Sequence, residues 1–207
     1  MYIVFEWIVW TGKSTQSKLL VEYLQNKFPD REVLRVREPG STPITEAIRT
    51  LVQGTDFEEE MDAITEAYLY SASRAQLINT LIKPALERGA IVVSDRCFWS
   101  SLAYQWYAKT QDMETIWTIN KAIVEKYLPD LVFLFDMPIA QALSRTFDEE
   151  GDKHELNGQE FFEQAQAWYM LCTQDTRFAH TSTIIDARGS IEEVSERVQK
   201  TVDSLKI

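Results

Sequence analysis

Five short runs of this chain are dense in β-branched and aromatic residues, and long stretches with helical spacing separate them. The runs are 2–8, Val33–Arg37, Ile91–Asp95, Leu131–Asp136 and 183–186. Their length and composition are those of strands buried in a sheet. Helical patterns cover 15–27, 61–88, 113–127, 159–173 and 191–205. Strand and helix alternate, which predicts an α/β fold with a parallel sheet covered by helices on both faces. Ligands of such sheets bind beyond the carboxyl ends of the strands, so Glu38, Asp95 and Asp136 are expected near the crevice.

Length and charge narrow this picture. The 207 residues fit a single domain, 1–207, and 45% hydrophobic with 12% aromatic content supplies a core. The formal charge is −11, from 21 basic and 32 acidic side chains, which argues against nucleic acid or an anionic membrane as partner. Two cysteines, Cys97 and Cys172, are too few for a disulfide framework, and a reducing cytoplasm is the expected location. Residues 1–6 carry no basic signal region, and the most apolar stretch, 131–140, is interrupted by Asp136 and too short to span a bilayer. Glycine is scarce, 7 residues where average usage is about 7% of a chain, while tryptophan reaches 6.

The chemistry begins after the first strand. Thr11-Gly12-Lys13-Ser14-Thr15 forms the second half of a phosphate-binding loop, G-x-x-x-x-G-K-[ST], between a strand and a helix. Backbone N–H groups at the helix start offer an anion site, Lys13 adds a point charge, and Ser14 is a candidate magnesium ligand. The first half departs from the motif. Trp7 stands where the leading glycine belongs and Trp10 stands mid-loop. Glycine serves there because the backbone needs positive φ and close approach to phosphate. Two indoles conflict with both needs and are expected to crowd the phosphate site; the blander reading makes them core residues at a strand end.

Further motifs resemble one family. Arg37-Glu38-Pro39-Gly40-Ser41-Thr42 is similar to the REPGGT turn of thymidylate kinases, with Arg49 following. Asp95-Arg96 ahead of Ser100-Ser101-Leu102-Ala103-Tyr104-Gln105 resembles their DRY…S…AYQ signature, and Tyr70 with Arg74 matches their base-binding helix. The resemblance runs over nearly the whole chain. It implies a P-loop NTPase-type five-stranded sheet with a small lid at 146–158, and phosphoryl transfer from ATP to dTMP with Mg²⁺. By position it implies Lys13, Arg96 and Asp95 as catalytic residues, and Gly12, Lys13, Ser14 and Thr15 as the ATP loop. Ser14 and Asp95 would hold the metal. Glu38, Arg49, Tyr70, Arg74, Arg96 and Gln105 would bind dTMP. Homodimers are common in the family and are expected here.

The departures gather around the same site. Val9 replaces a loop aspartate, Ser41 a glycine, and Trp106 the glycine after Gln105. The lid segment holds Arg145 and then mostly carboxylates, while Gln166 and Trp168 occupy a helix where the family carries a phosphate-facing arginine. One such arginine is worth about 10³–10⁵ in rate. Kinase activity is therefore expected to be impaired or lost. A second reading makes the chain an engineered scaffold whose cleft, lined by Trp7, Trp10, Trp106, Trp168 and Tyr70, binds a non-native aromatic small molecule. A third makes it a designed enzyme using a Lys13 desolvated among indoles, with Cys97 as another candidate nucleophile.

Overall fold

The computed structural model describes residues 1–54, 57–108, 113–145, 158–177 and 179–205, with the backbone alone at 105–108 and 179. Five parallel strands, β1 (Tyr2–Glu6), β2 (Val33–Arg37), β3 (Ile91–Asp95), β4 (Leu131–Asp136) and β5 (Ser182–Asp186), form one sheet in the order β2-β3-β1-β4-β5. All five residues of β1 are buried. Successive strand residues point to opposite faces, so helices must cover this central strand on both sides. Phe5 packs its ring against Phe133 and Phe135 of the neighbouring β4, centroids 5.3 Å apart in each case.

Three strands have the expected bounds. The first ends two residues early, at Glu6, because Trp7 adopts φ 142° and leaves the extended register. Helix α1 (Lys13–Lys27) follows the loop, starting behind Gly12 at φ 93°. Gly12 lies in the left-handed region, where a side chain is costly. Helix α2 (Pro43–Gln53) opens on a reciprocal cap in which Thr42 and Thr45 satisfy each other's backbone N–H, with Pro43 in the first turn.

The long pattern at 61–88 is one helical stretch in three parts. Asp62 caps α3 (Ala63–Leu77) by accepting from the N–H groups of Ile64 and Thr65. A widened π-turn at Ile78–Ile82 leads into α4 (Lys83–Glu87), and Pro84 stands at this junction. Helix α5 (Phe98–Ala108) and α6 (Met113–Val124) precede β4, then α7 (Ile139–Leu143) and α8 (Gln159–Cys172) precede β5. Helix α9 (Ile191–Asp203) closes the chain and packs beside α1, tied at one end by Lys27 and Tyr23 to Asp203. Among the described residues no helix is long and apolar enough to cross a membrane. The expected lid, 146–158, lies outside the described residues except for Gly158.

Candidate active site

The carboxyl ends of the strands open on a cleft of about 710 Å³. Loop residues 9–12, the first turns of α1, the ends of β2 and β3, Arg145 and the start of α9 line it. Its charge is the inverse of the whole chain's. Among the described residues Lys13, Lys18, Arg35, Arg37, Arg49, Arg96 and Arg145 face it against two carboxylates, Glu38 and Asp95. Seven cations facing two anions, in a chain of charge −11, make a localised site for a polyanion.

At the loop itself, the Lys13 ammonium is turned inward. It donates to the Ile8 carbonyl and lies 3.3 Å from the Thr11 hydroxyl, which itself donates to Ile8 O at 3.2 Å. The Ser14 hydroxyl donates to the Asp95 carboxylate, joining the start of α1 to the end of β3. These adjacent hard oxygens suit Mg²⁺, which is commonly held by one or two protein oxygens together with substrate phosphates. Arg35, on β2, reaches the same corner: its Nε donates to Ser17 Oγ at 3.0 Å and its Nη2 lies 3.7 Å from Asp95 Oδ2.

A smaller pocket of about 50 Å³ adjoins the cleft, lined by Val9, Glu38, Pro39, Gln53, Tyr70, Arg74, Arg96, Cys97, Ser100 and Tyr104. Its floor is a buried ion pair. Arg74 Nε donates to Glu38 Oε2 at 2.7 Å, and its remaining N–H groups go to Asn120, Ser101 Oγ and the Cys97 carbonyl. Burial pushes the Glu38 carboxyl above its ordinary value, against the lowering influence of Arg74, and its Oε1 has no hydrogen-bond partner among the described residues. Arg49 reaches toward this wall and donates to the Pro39 carbonyl at 3.1 Å.

Arg96 stands at the wall shared by both spaces, with φ 76°. Its guanidinium donates to the Trp7 carbonyl at 3.0 Å and to Ser100 Oγ at 3.1 Å, and lies 5.5 Å over the Tyr104 ring. Glu6, missed by the sequence reading, organises this region. It is fully buried and accepts from the N–H groups of Cys97 and Ser100, the Ser100 hydroxyl and Tyr169 Oη. Its signal was a carboxylate inside an apolar run, obscured because the first strand was expected to continue to Ile8.

Several expectations need correction. Trp7 does not line the cleft. It is fully buried behind the loop, stacked on Tyr169 with centroids 5.4 Å apart, and its indole N–H has no partner among the described residues. The large ring fills the space beneath the loop because the backbone at φ 142° turns it inward. Trp10, at φ 56°, does line the cleft and meets Phe162 edge-on at 5.9 Å. Trp168 is partly buried against the core, and Gln166 donates to Asp136 at 3.2 Å; neither reaches the cleft lining. Asp136 likewise stands outside that lining. The side chains of Gln105 and Trp106 lie outside the described residues. Among the described residues Trp10 is thus the one tryptophan lining the cleft, while Tyr70 lines the adjoining pocket. Cys97 and Cys172 are both buried, and burial pushes both thiols up, away from the nucleophilic thiolate.

A family model for thymidylate kinase matches residues 8–198. This chain belongs to the thymidylate kinase family. It is 38% identical to a thymidylate kinase of Fervidobacterium nodosum over 205 residues, covering 99% of each chain. It is 34% identical to one of Prochlorococcus marinus, covering 97% of each. The crystal structure of thymidylate kinase from Ehrlichia chaffeensis superposes with TM-score 0.79 at 28% identity, covering 98% of both chains. The phosphate loop of this family member carries tryptophan at two positions where its backbone takes positive φ.

Proposed function

We propose that this chain transfers a phosphoryl group from ATP to dTMP in the cationic cleft, and does so more slowly than a glycine-built loop would allow. The observation that carries the reading is the charge inversion around Gly12–Thr15, seven cations against two carboxylates among the described residues. Phosphoryl transfer depends chiefly on positioning and on positive charge around the moving group.

In this reading the N–H groups at the start of α1 receive the ATP phosphates, and Lys13 leaves the Ile8 carbonyl to meet them. Ser14 and Asp95 hold Mg²⁺, which when bound screens the charge of the triphosphate. Arg96 meets the dTMP phosphate from the shared wall. Tyr70 faces the base, Gln105 its edge, and the Glu38–Arg74 pair fixes the pocket floor. Arg49, through the Pro39 carbonyl, steadies the turn that carries Glu38. A cytoplasmic homodimer belongs to the same proposal.

The slowness follows from the loop. Trp10 takes up room on the phosphate side of the cleft, and Val9 brings no carboxylate to the place where the family has one. Calorimetric titration with ATP and with dTMP, in magnesium, tests the binding half of the reading. Saturable binding of both, with ATP binding lost in Lys13→Met, is expected. Absence of binding for both nucleotides would refute it.

A further inference from the structure

We propose that Arg35 sets the magnesium requirement of the cleft, by acting as a resident counter-cation of Asp95. The proposal rests on the phosphoryl-transfer reading above and concerns a residue that none of the motifs contains.

Two groups converge on one carboxylate oxygen. Asp95 Oδ2 accepts from the Ser14 hydroxyl and lies 3.7 Å from Arg35 Nη2, which is also 3.5 Å from the Ser14 carbonyl. The Arg35 Nε bond to Ser17 Oγ, 3.0 Å, anchors the guanidinium to α1 so that it stays beside Asp95. Asp95 is 8% exposed, so solvent and salt screen this pair less than they would a surface pair. Magnesium demands near-ideal geometry and dehydrates reluctantly, so it needs Asp95 free of a competing cation. Arginine is charged at every accessible pH, so the competitor is permanent.

Two consequences run in opposite directions. Without metal, Arg35 offsets the Asp95 charge beside the phosphate loop, so a bare polyphosphate is tolerated. With metal, the guanidinium must first give up its share of Asp95, so magnesium binds less tightly. A residue that merely tied β2 to α1 through Ser17 would produce neither opposed effect.

The test is calorimetric titration of ATP into the full chain, across a series of magnesium concentrations and in EDTA. It compares the parent, Arg35→Gln, Asp95→Asn and the double variant, with thermal unfolding of each as a fold check. In Arg35→Gln the magnesium midpoint is expected to fall about tenfold while metal-free ATP affinity weakens about tenfold. In the Asp95→Asn background the same substitution is expected to leave the magnesium midpoint unmoved. Shifts in the same direction, no shift, or a shift that persists without Asp95 would overturn the proposal. Arg35→Lys keeps the charge and covers the case where the glutamine variant fails to fold. Its midpoint is expected near the parent's, and an unpaired-Asp95 midpoint in a folded lysine variant overturns the proposal. A parent chain that binds no ATP under any condition removes the phosphoryl-transfer reading and this proposal together. Normal binding with an unmoved midpoint removes this proposal alone.

Discussion

The indole of Trp7 lies stacked on the ring of Tyr169, centroids 5.4 Å apart and planes 29° apart, beneath the phosphate loop. Tyr169 in turn donates to the buried Glu6, which holds the backbone after β3, so the loop and the Arg96 segment share one foundation. Two effects oppose each other in Trp7. Its left-handed backbone and unpartnered N–H cost stability, the backbone by about 1–3 kcal/mol. Removing a fully buried indole costs about 3–5 kcal/mol through the cavity left behind. The cavity wins. Trp7→Gly is expected to lower stability by about 2 kcal/mol in urea unfolding, and a stabilised variant would contradict this balance.

Trp10 presents the other balance. It is half-buried, and its edge contact with Phe162 is worth about 0.5–1.5 kcal/mol, close to the cost of holding a bulky residue at φ 56°. Trp10→Gly is expected to leave unfolding free energy within about 1 kcal/mol of the parent. Because the ring lines the cleft, the same variant is expected to bind ATP about tenfold more tightly by calorimetry. Unchanged affinity would mean that the ring stands clear of the phosphates.

The two thiols are a separate test of the nucleophile reading. Cys97 and Cys172 are each 2% exposed or less, and burial pushes both above the ordinary thiol range. Alkylation by iodoacetamide at pH 7.5 (roughly a unit below the free thiol value) is expected to be slow in the folded chain and fast in denaturant. Rapid native labelling of Cys97 would restore it as a candidate nucleophile.

Acid stability carries a signed prediction. The Arg177 guanidinium bonded to Asp175 holds that carboxyl below the ordinary aspartate value. Arg177 also pairs with Glu114 at 3.0 Å and lies 4.9 Å over Trp117, so it ties the segment after α8 to α6. A depressed folded value favours the ionised form. The stabilisation is therefore present above the unfolded aspartate value, about 3.9, and lost as pH falls through the folded value. Arg177→Met is expected to reduce the slope of stability against pH below about 4, measured by urea midpoints. An unchanged slope would contradict the assignment.

Much of the fold was legible because β-rich runs and carboxylate ends mark a parallel sheet without reference to packing. The bounds of β2, β3 and β4 follow from composition alone. The end of β1 does not, since nothing local announces that Trp7 turns to φ 142° and is swallowed by the core. Helix α2 lacks a clear signal of its own because its start, the reciprocal Thr42–Thr45 cap, directly adjoins the turn motif at 37–42. At the site, Ser14 and Asp95 share a hydrogen bond although they are 81 positions apart. Arg35 was missed for a physical reason: on a short strand its charge reads as an ordinary outward residue, and only β2's place at the sheet edge beside β3 brings it to Asp95. Aromatic side chains were the least legible. A sequence places an indole near a loop but leaves open whether the ring points into the cleft, as Trp10 does, or beneath it, as Trp7 does.

The central claim is that the cationic cleft transfers phosphoryl groups and that the Trp10 ring slows it. A coupled ADP-release assay with Mg-ATP and dTMP, run on the parent chain and on Trp10→Gly, addresses it directly. The account predicts slow, dTMP-dependent turnover in the parent and at least about tenfold faster turnover in the variant, a barrier change of about 1.4 kcal/mol. Equal rates in the two proteins, or no dTMP-dependent turnover in either, would contradict it.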